Sequence, residues 1–366
     1  MQAEKMWQTS TGKGITVAVI DTGVNASNPD LQGRLLKGKD FALKERGDEW
    51  TDFHGHGTGM AGLIAGTGRS RGGDGAFGLA PGVKILPVRV PEKAANLEED
   101  LKQFNTTVPA AIRYAADRGA QVINISLAMD EGSQQMIDAV KYALDKGSLI
   151  FAGVGNDGKK ANLTKYPAAT PGVVGVGAIG KDLKKTPESQ NGWYVDLSAP
   201  GDEMIHACQG STNLCKSHGT SDATALVSAS AALIWSKHPD WTNNQVLRVM
   251  LNTAGGPTSG AERNDYVGYG AVRPGAALTK PGDPGPADEY PLPDPPEAPS
   301  PTPSATPSKA PAAGPQQSKQ PAAAAPADDN GGNTALWVGL GVGGAALIGA
   351  AGVTVAIRSR QRPPGV

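Results

Sequence analysis

An α/β fold on a mostly parallel, buried central sheet is what this 366-residue chain predicts. Strand-like and helix-like stretches alternate over the first two thirds of the sequence, and glycines stand where helices should stop. Apolar strand-like runs begin at Ile15, Lys84, Gln121, Leu149, Val173 and Val195, with helix-like stretches at 56–66, 108–118 and 133–146 among them. Gly119 and Gly147 follow the last two, where a residue free to turn left-handed ends a helix cheaply. Such alternation covers both faces of a parallel sheet with helices.

The first strand, ITVAVI at 15–20, is β-branched and apolar, and Asp21 stands where it ends and the chain turns at Gly23. A carboxylate there can orient an imidazole. His56 opens HGTGMAGLIAG, in which Met60, Leu63 and Ile64 recur at helical spacing, so a helix burying that face holds His56 at its N-terminal end. LIFAGVGN at 149–156 is a further strand ending in glycines and the amide of Asn156, a place for an oxyanion donor. Ser221 begins the apolar stretch 221–235, near backbone N–H groups that a helix N-terminus leaves unpaired. In the chemistry these residues suggest, Ser221 attacks a carbonyl, His56 takes and returns the proton, and Asp21 fixes the tautomer. Alone, Asp21 reads as a turn former and Asn156 as a cap.

Eight motifs in one order carry a resemblance to the subtilisin-like serine proteases. Besides IDTG, HGT, GTS and the Asn156 segment, VINISL at 122–127 looks like that family's substrate-binding strand, and GLAP at 78–81 like its GVAP segment. YPAA at 166–169 and SAPG at 198–201 resemble two further signatures. The resemblance implies a three-layer subtilisin-like fold, the catalytic set Asp21, His56, Ser221 and Asn156, and substrate contacts at Ser126, Leu127, Ala128, Ala152 and Gly153. Four positions depart from it: Gly59 stands where a second His is common, Ala128 where Gly is, Ala225 where Pro is, and Asp222 directly follows Ser221. The added methyl of Ala128 narrows the first specificity pocket. Asp222 suits a helix N-terminus but adds negative charge beside an oxyanion, and so points to restricted cutting. His54, His206, His218 and His238 lack metal-ligand spacing and read as loop or surface residues.

Composition divides the chain. Net charge is −1, so no basic excess points to nucleic acid. Of 29 prolines, 15 fall between Pro281 and Pro326, in a stretch with almost no large apolar residues. Such a segment buries too little to offset its chain entropy, and is expected to be a disordered stalk. Residues 334–357 follow, 24 residues without a charge, and then Arg358, Arg360 and Arg362. As a helix they reach roughly 36 Å, enough to span a bilayer, with the basic tail cytoplasmic and the catalytic domain on the other face. The expected layout is a peptidase domain at 1–275, a linker at 276–333, a membrane helix at 334–357 and a tail at 358–366.

Export needs a signal that residues 1–14 do not supply, so either the true start is expected upstream or the chain is a processed or trimmed form. Cys208 and Cys215 are close enough to close a small loop, which favours a disulfide over a metal site. Asp40, Asp74 and the loop 66–78 show no calcium-ligand pattern, and neither an obligatory metal nor a cofactor is expected.

Domain, stalk and single span together look like the mycosins, membrane-anchored subtilases of type VII secretion. That likeness implies limited cleavage of secreted protein substrates beside a membrane secretion complex. A degradative cell-surface subtilase and a mainly structural cap of such a complex are the alternatives.

Overall fold

The computed structural model describes residues 2–293, except 93–95 and 210–212. Its strands are β1 (Thr16–Asp21), β2 (Lys39–Asp40), β3 (Lys84–Arg89), β4 (Val122–Ile125), β5 (Leu149–Gly153), β6 (Val174–Ile179), β7 (Leu197–Pro200), β8 (Met204–Ala207) and β9 (Leu214–Ser217). Its helices are α1 (Ala3–Trp7), α2 (His56–Ala65), α3 (Leu97–Asp117), α4 (Gln134–Asp145), α5 (Thr220–Lys237), α6 (Asn243–Asn252) and α7 (Pro274–Thr279). The first seven strands form one parallel sheet in the order β2-β3-β1-β4-β5-β6-β7, and β8 and β9 form a separate antiparallel hairpin.

Alternate residues of each central strand feed two cores. Val17, Val19, Ile85 and Phe151 face α2, α5 and α6, whereas Ala18, Ile20, Leu86 and Ile150 face α3 and α4. This period of two makes three layers from apolar strands with no polar face. Burying one such side chain contributes about 1.5–3 kcal/mol. The strand order changes direction at β1, which pairs with β3 on one side and β4 on the other. Ligands of parallel sheets bind beyond the carboxyl ends of strands at such a point, and Asp21 is the last residue of β1.

Two sequence expectations need correction. Helix α3 starts at Leu97, eleven residues before the periodic stretch at 108–118. Asn96 caps it by accepting from the Glu99 N–H at 3.0 Å, and its first half is polar and half-exposed. Pro109 inside the helix imitates a boundary. The peptidase domain also does not end at 275. Leu278 and Leu292 are buried in the core, and the Arg248 guanidinium donates to the carbonyls of Pro284 (2.8 Å), Pro286 (2.8 Å) and Glu289 (2.7 Å). Residues 276–293, read as linker from their prolines, are therefore a strap laid on α6. The rest of the stalk, the 334–357 span and the tail lie outside the described residues, among which no helix is long and apolar enough to cross a membrane.

Candidate active site

Asp21 is fully buried, and its Oδ1 accepts from His56 Nδ1 at 2.7 Å and from the Thr22 N–H at 2.8 Å. Close approach of β1 and α2 makes this possible. A Cβ on Gly57 would lie 2.1 Å from the Gly23 carbonyl and 3.0 Å from the Asp21 Cβ, so only glycine lets the first turn of α2 reach the strand end. That turn begins at His56, after Gly55 in a left-handed conformation at φ 84°.

A second carboxylate, which sequence reasoning missed, fixes the same turn. Asp52 is 2% exposed and accepts four hydrogen bonds: Gly55 N–H (2.7 Å) and Thr22 Oγ1 (2.8 Å) on Oδ1, Thr58 N–H (2.8 Å) and Thr58 Oγ1 (2.6 Å) on Oδ2. The N-terminus of α2 supplies the positive end that this buried charge requires. Burial would lower the pKa of His56, but the Asp21 charge and hydrogen bond outweigh it, with Asp222 and Asp52 adding to them, and raise it to about 9.

Ser221 is the second residue of α5, after Gly219 at φ 141°. Its Oγ donates to the Ser126 carbonyl at 3.4 Å, so the hydroxyl rests toward β4. Catalytic hydrogen bonds often tighten only when substrate binds. Asn156 Oδ1 accepts from the Thr220 N–H at 2.9 Å, which holds the side-chain amide at the N-terminus of α5. A side chain at 219 would meet this amide at 3.1 Å.

His56, Asn156 and Ser221 line two adjoining cavities. One, about 500 Å³, is walled by Ser126, Leu127, Ala128, Met129 and Phe104; the other, about 510 Å³, by His206, Ser217, His218 and Asp222. A larger cavity of about 840 Å³, beside Leu183 and Tyr266, holds no acid–base pair, so chemistry rather than volume selects the smaller two. Three of the five expected substrate contacts therefore lie on a cavity wall. Ala152 and Gly153 do not: both are buried in β5, and a Cβ on Gly153 would lie 2.9 Å from Thr220 Oγ1.

His206, expected at the surface, is a buried residue of β8, and its Nδ1 donates to the Ala207 carbonyl at 2.8 Å. Its ring takes the space that a side chain at Gly59 would need, 2.7 Å from the ideal Cβ. The space of the imidazole that the resemblance expects at position 59 of α2 is thus taken by one from β8. Cys208 and Cys215 form a disulfide across the β8–β9 hairpin. Asp40 lies 3.5 Å from Arg89, while the fully buried Asp30 pins the loop 66–78 by accepting from Ser70 N–H (2.7 Å), Ser70 Oγ (2.8 Å) and Ala76 N–H (2.9 Å).

Fold and site together define a subtilisin-type serine peptidase. The chain belongs to the subtilase family, whose model matches residues 12–272. It is 34% identical over 274 residues to the thermophilic serine proteinase of Bacillus sp. (strain AK1), a match that covers 75% of this chain and 64% of that protein. Among solved structures it resembles the MycP3 protease of the type VII (ESX-3) secretion system, with TM-score 0.66 and 33% identity over 76% of this chain and 86% of that one. It also resembles a chain of the periplasmic assembly of the ESX-5 inner membrane complex, with TM-score 0.68 and 28% identity over 81% and 86%.

Proposed function

We propose that this chain is a membrane-anchored, extracytoplasmic serine endopeptidase that makes limited cuts in secreted proteins at a type VII secretion complex. The observation that carries the proteolytic reading is the 2.7 Å Asp21–His56 contact on the same cavities as Ser221 and Asn156. With a peptide seated, Ser221 Oγ attacks the scissile carbonyl carbon while His56 Nε2 takes the hydroxyl proton. The Ser221 N–H and the Asn156 NH2 receive the oxyanion. His56 then gives its proton to the departing amine, and water releases the acyl group by the same path. Asp21 keeps the Nδ1 proton in place and stabilises the imidazolium throughout.

The stalk, the 334–357 span and its arginines support the anchored placement, and the likeness to MycP3 and to the ESX-5 assembly supports the setting. The acyl part of the substrate runs along Ser126, Leu127 and Ala128. The test compares N-termini of secreted proteins from cells carrying the normal chain with those from cells carrying Ser221→Ala. New N-termini lost in the variant support the reading, and identical sets refute it. The ESX-5 likeness also favours a scaffolding role, which predicts normal secretion with Ser221→Ala and failed secretion on deletion of the chain.

A further inference from the structure

The two cavities beside Ser221 differ in charge. The wall at Ser126, Leu127 and Ala128 takes the acyl part of the substrate under the reading above, so the cavity beyond His56 receives the residue that follows the cut. Three cationic or potentially cationic side chains line this leaving-side cavity with a carboxylate of their own nearby: His56 with Asp21 at 2.7 Å, Lys216 with Glu203 at 2.6 Å, and His218 with Glu188 at 3.4 Å. Asp222 lines the same cavity without a cation in ion-pair contact among the described residues. Its Oδ1 is held by the Ser217 hydroxyl at 2.7 Å, and the residue is 1% exposed. The carboxylate is therefore positioned and almost wholly desolvated, and although the imidazoles of His206, His56 and His218 feel its charge, none of them stands in ion-pair contact with it. His54 and His206 also line the cavity, His206 with its Nδ1 committed to the Ala207 carbonyl.

We propose that Asp222 makes this cavity select substrates with lysine or arginine immediately after the cleaved bond and reject those with aspartate or glutamate there. The inference rests on the proteolytic reading. A charge contact at about 4 Å favours an opposite charge about fivefold in bulk water and more where solvent is excluded, so a cationic residue gains and an anionic one loses. The preference is a property of one side chain: asparagine at 222 keeps an acceptor for Ser217 and removes the charge.

The test uses the full chain and the partition of one acyl-enzyme between competing acceptors, argininamide, glutamine amide and glutamic acid amide, at a pH of about 10, above the raised value of His56 and below the range in which a guanidinium titrates. Argininamide should capture the acyl group five- to tenfold better than glutamic acid amide, roughly the size of one such contact. Asp222→Asn should bring that ratio to within twofold of one. Raising salt to about 0.5 M should shrink the ratio of the unmodified chain, which checks the charge without a substitution. Equal capture by the unmodified chain, or a ratio unmoved by both Asp222→Asn and salt, overturns the proposal. Failure of the proteolytic reading looks different: a fluorophosphonate then leaves Ser221 unlabelled and no acyl-enzyme forms. In that case the Ser221→Ala chain is titrated with two peptides that differ only in carrying lysine or glutamate at the position after the scissile bond, and equal affinities overturn the selection.

Discussion

The two walls flanking His56 are built differently. On one side Asp21, Asp52, Thr22 and Thr58 form a buried hydrogen-bond network between β1 and α2, with both carboxylates at most 2% exposed. On the other, the β8–β9 hairpin is held by a disulfide and by the Glu203 pairs with Lys181 (2.8 Å) and Lys216 (2.6 Å), whose lysines are 82% and 60% exposed. Buried networks hold position because each lost partner leaves a desolvated group, whereas exposed ion pairs contribute little. Under the proposed mechanism the first wall sets the geometry of proton transfer, and the second sets what reaches it.

The sharpest break is Asp21→Asn, which keeps the shape and loses the Nδ1 tautomer; kcat should fall about 10⁴-fold with little change in KM in a peptide assay. Asn156→Ala removes one oxyanion donor and should cost about 100- to 1000-fold in kcat. Asp52→Asn tests whether the network acts through His56. Thr58 would meet an NH2 in place of an acceptor, a cost of about 1–3 kcal/mol in stability by denaturant titration. It should also lower kcat and move the pH profile to lower pH, because Asp52 helps to raise the pKa of His56. A stability loss with an unmoved profile would leave Asp52 only a structural part.

That profile has a defined sign. An imidazolium cannot accept the Ser221 proton, so kcat/KM should rise with pH to a plateau above about 9. The raised value also means that His56 stabilises the fold fully below about 6.5 and loses that contribution as pH climbs through about 9. Breaking the outer wall should do least to chemistry. Reduction of Cys208–Cys215 should lower stability by about 2.5 kcal/mol at most for so short a loop, and Lys216→Ala by less than about 1 kcal/mol.

The inner wall was half legible in the sequence. Asp21 and His56 sit in runs whose strand and helix patterns are strong, and the structure brings them into contact. Asp52 carries no such signal, because its partners are backbone N–H groups and hydroxyls that the fold alone assembles. The same blindness explains the strap at 276–293, whose carbonyls are invisible in a proline-rich composition until Arg248 receives them. His206 escaped because its role depends on the space beside Gly59, which is far from it along the chain and adjacent only in the fold. Short strands such as β2, β8 and β9 have too few residues to show a period.

The strap also has a mechanical meaning. Any tension on the chain beyond Pro293 arrives first at Leu292, the Tyr290 hydroxyl bonded to the Gly172 carbonyl at 3.1 Å, and the Arg248 fork. Those contacts act in turn like stitches along a seam, so a pull would unpick the strap before it could strain the sheet that carries Asp21.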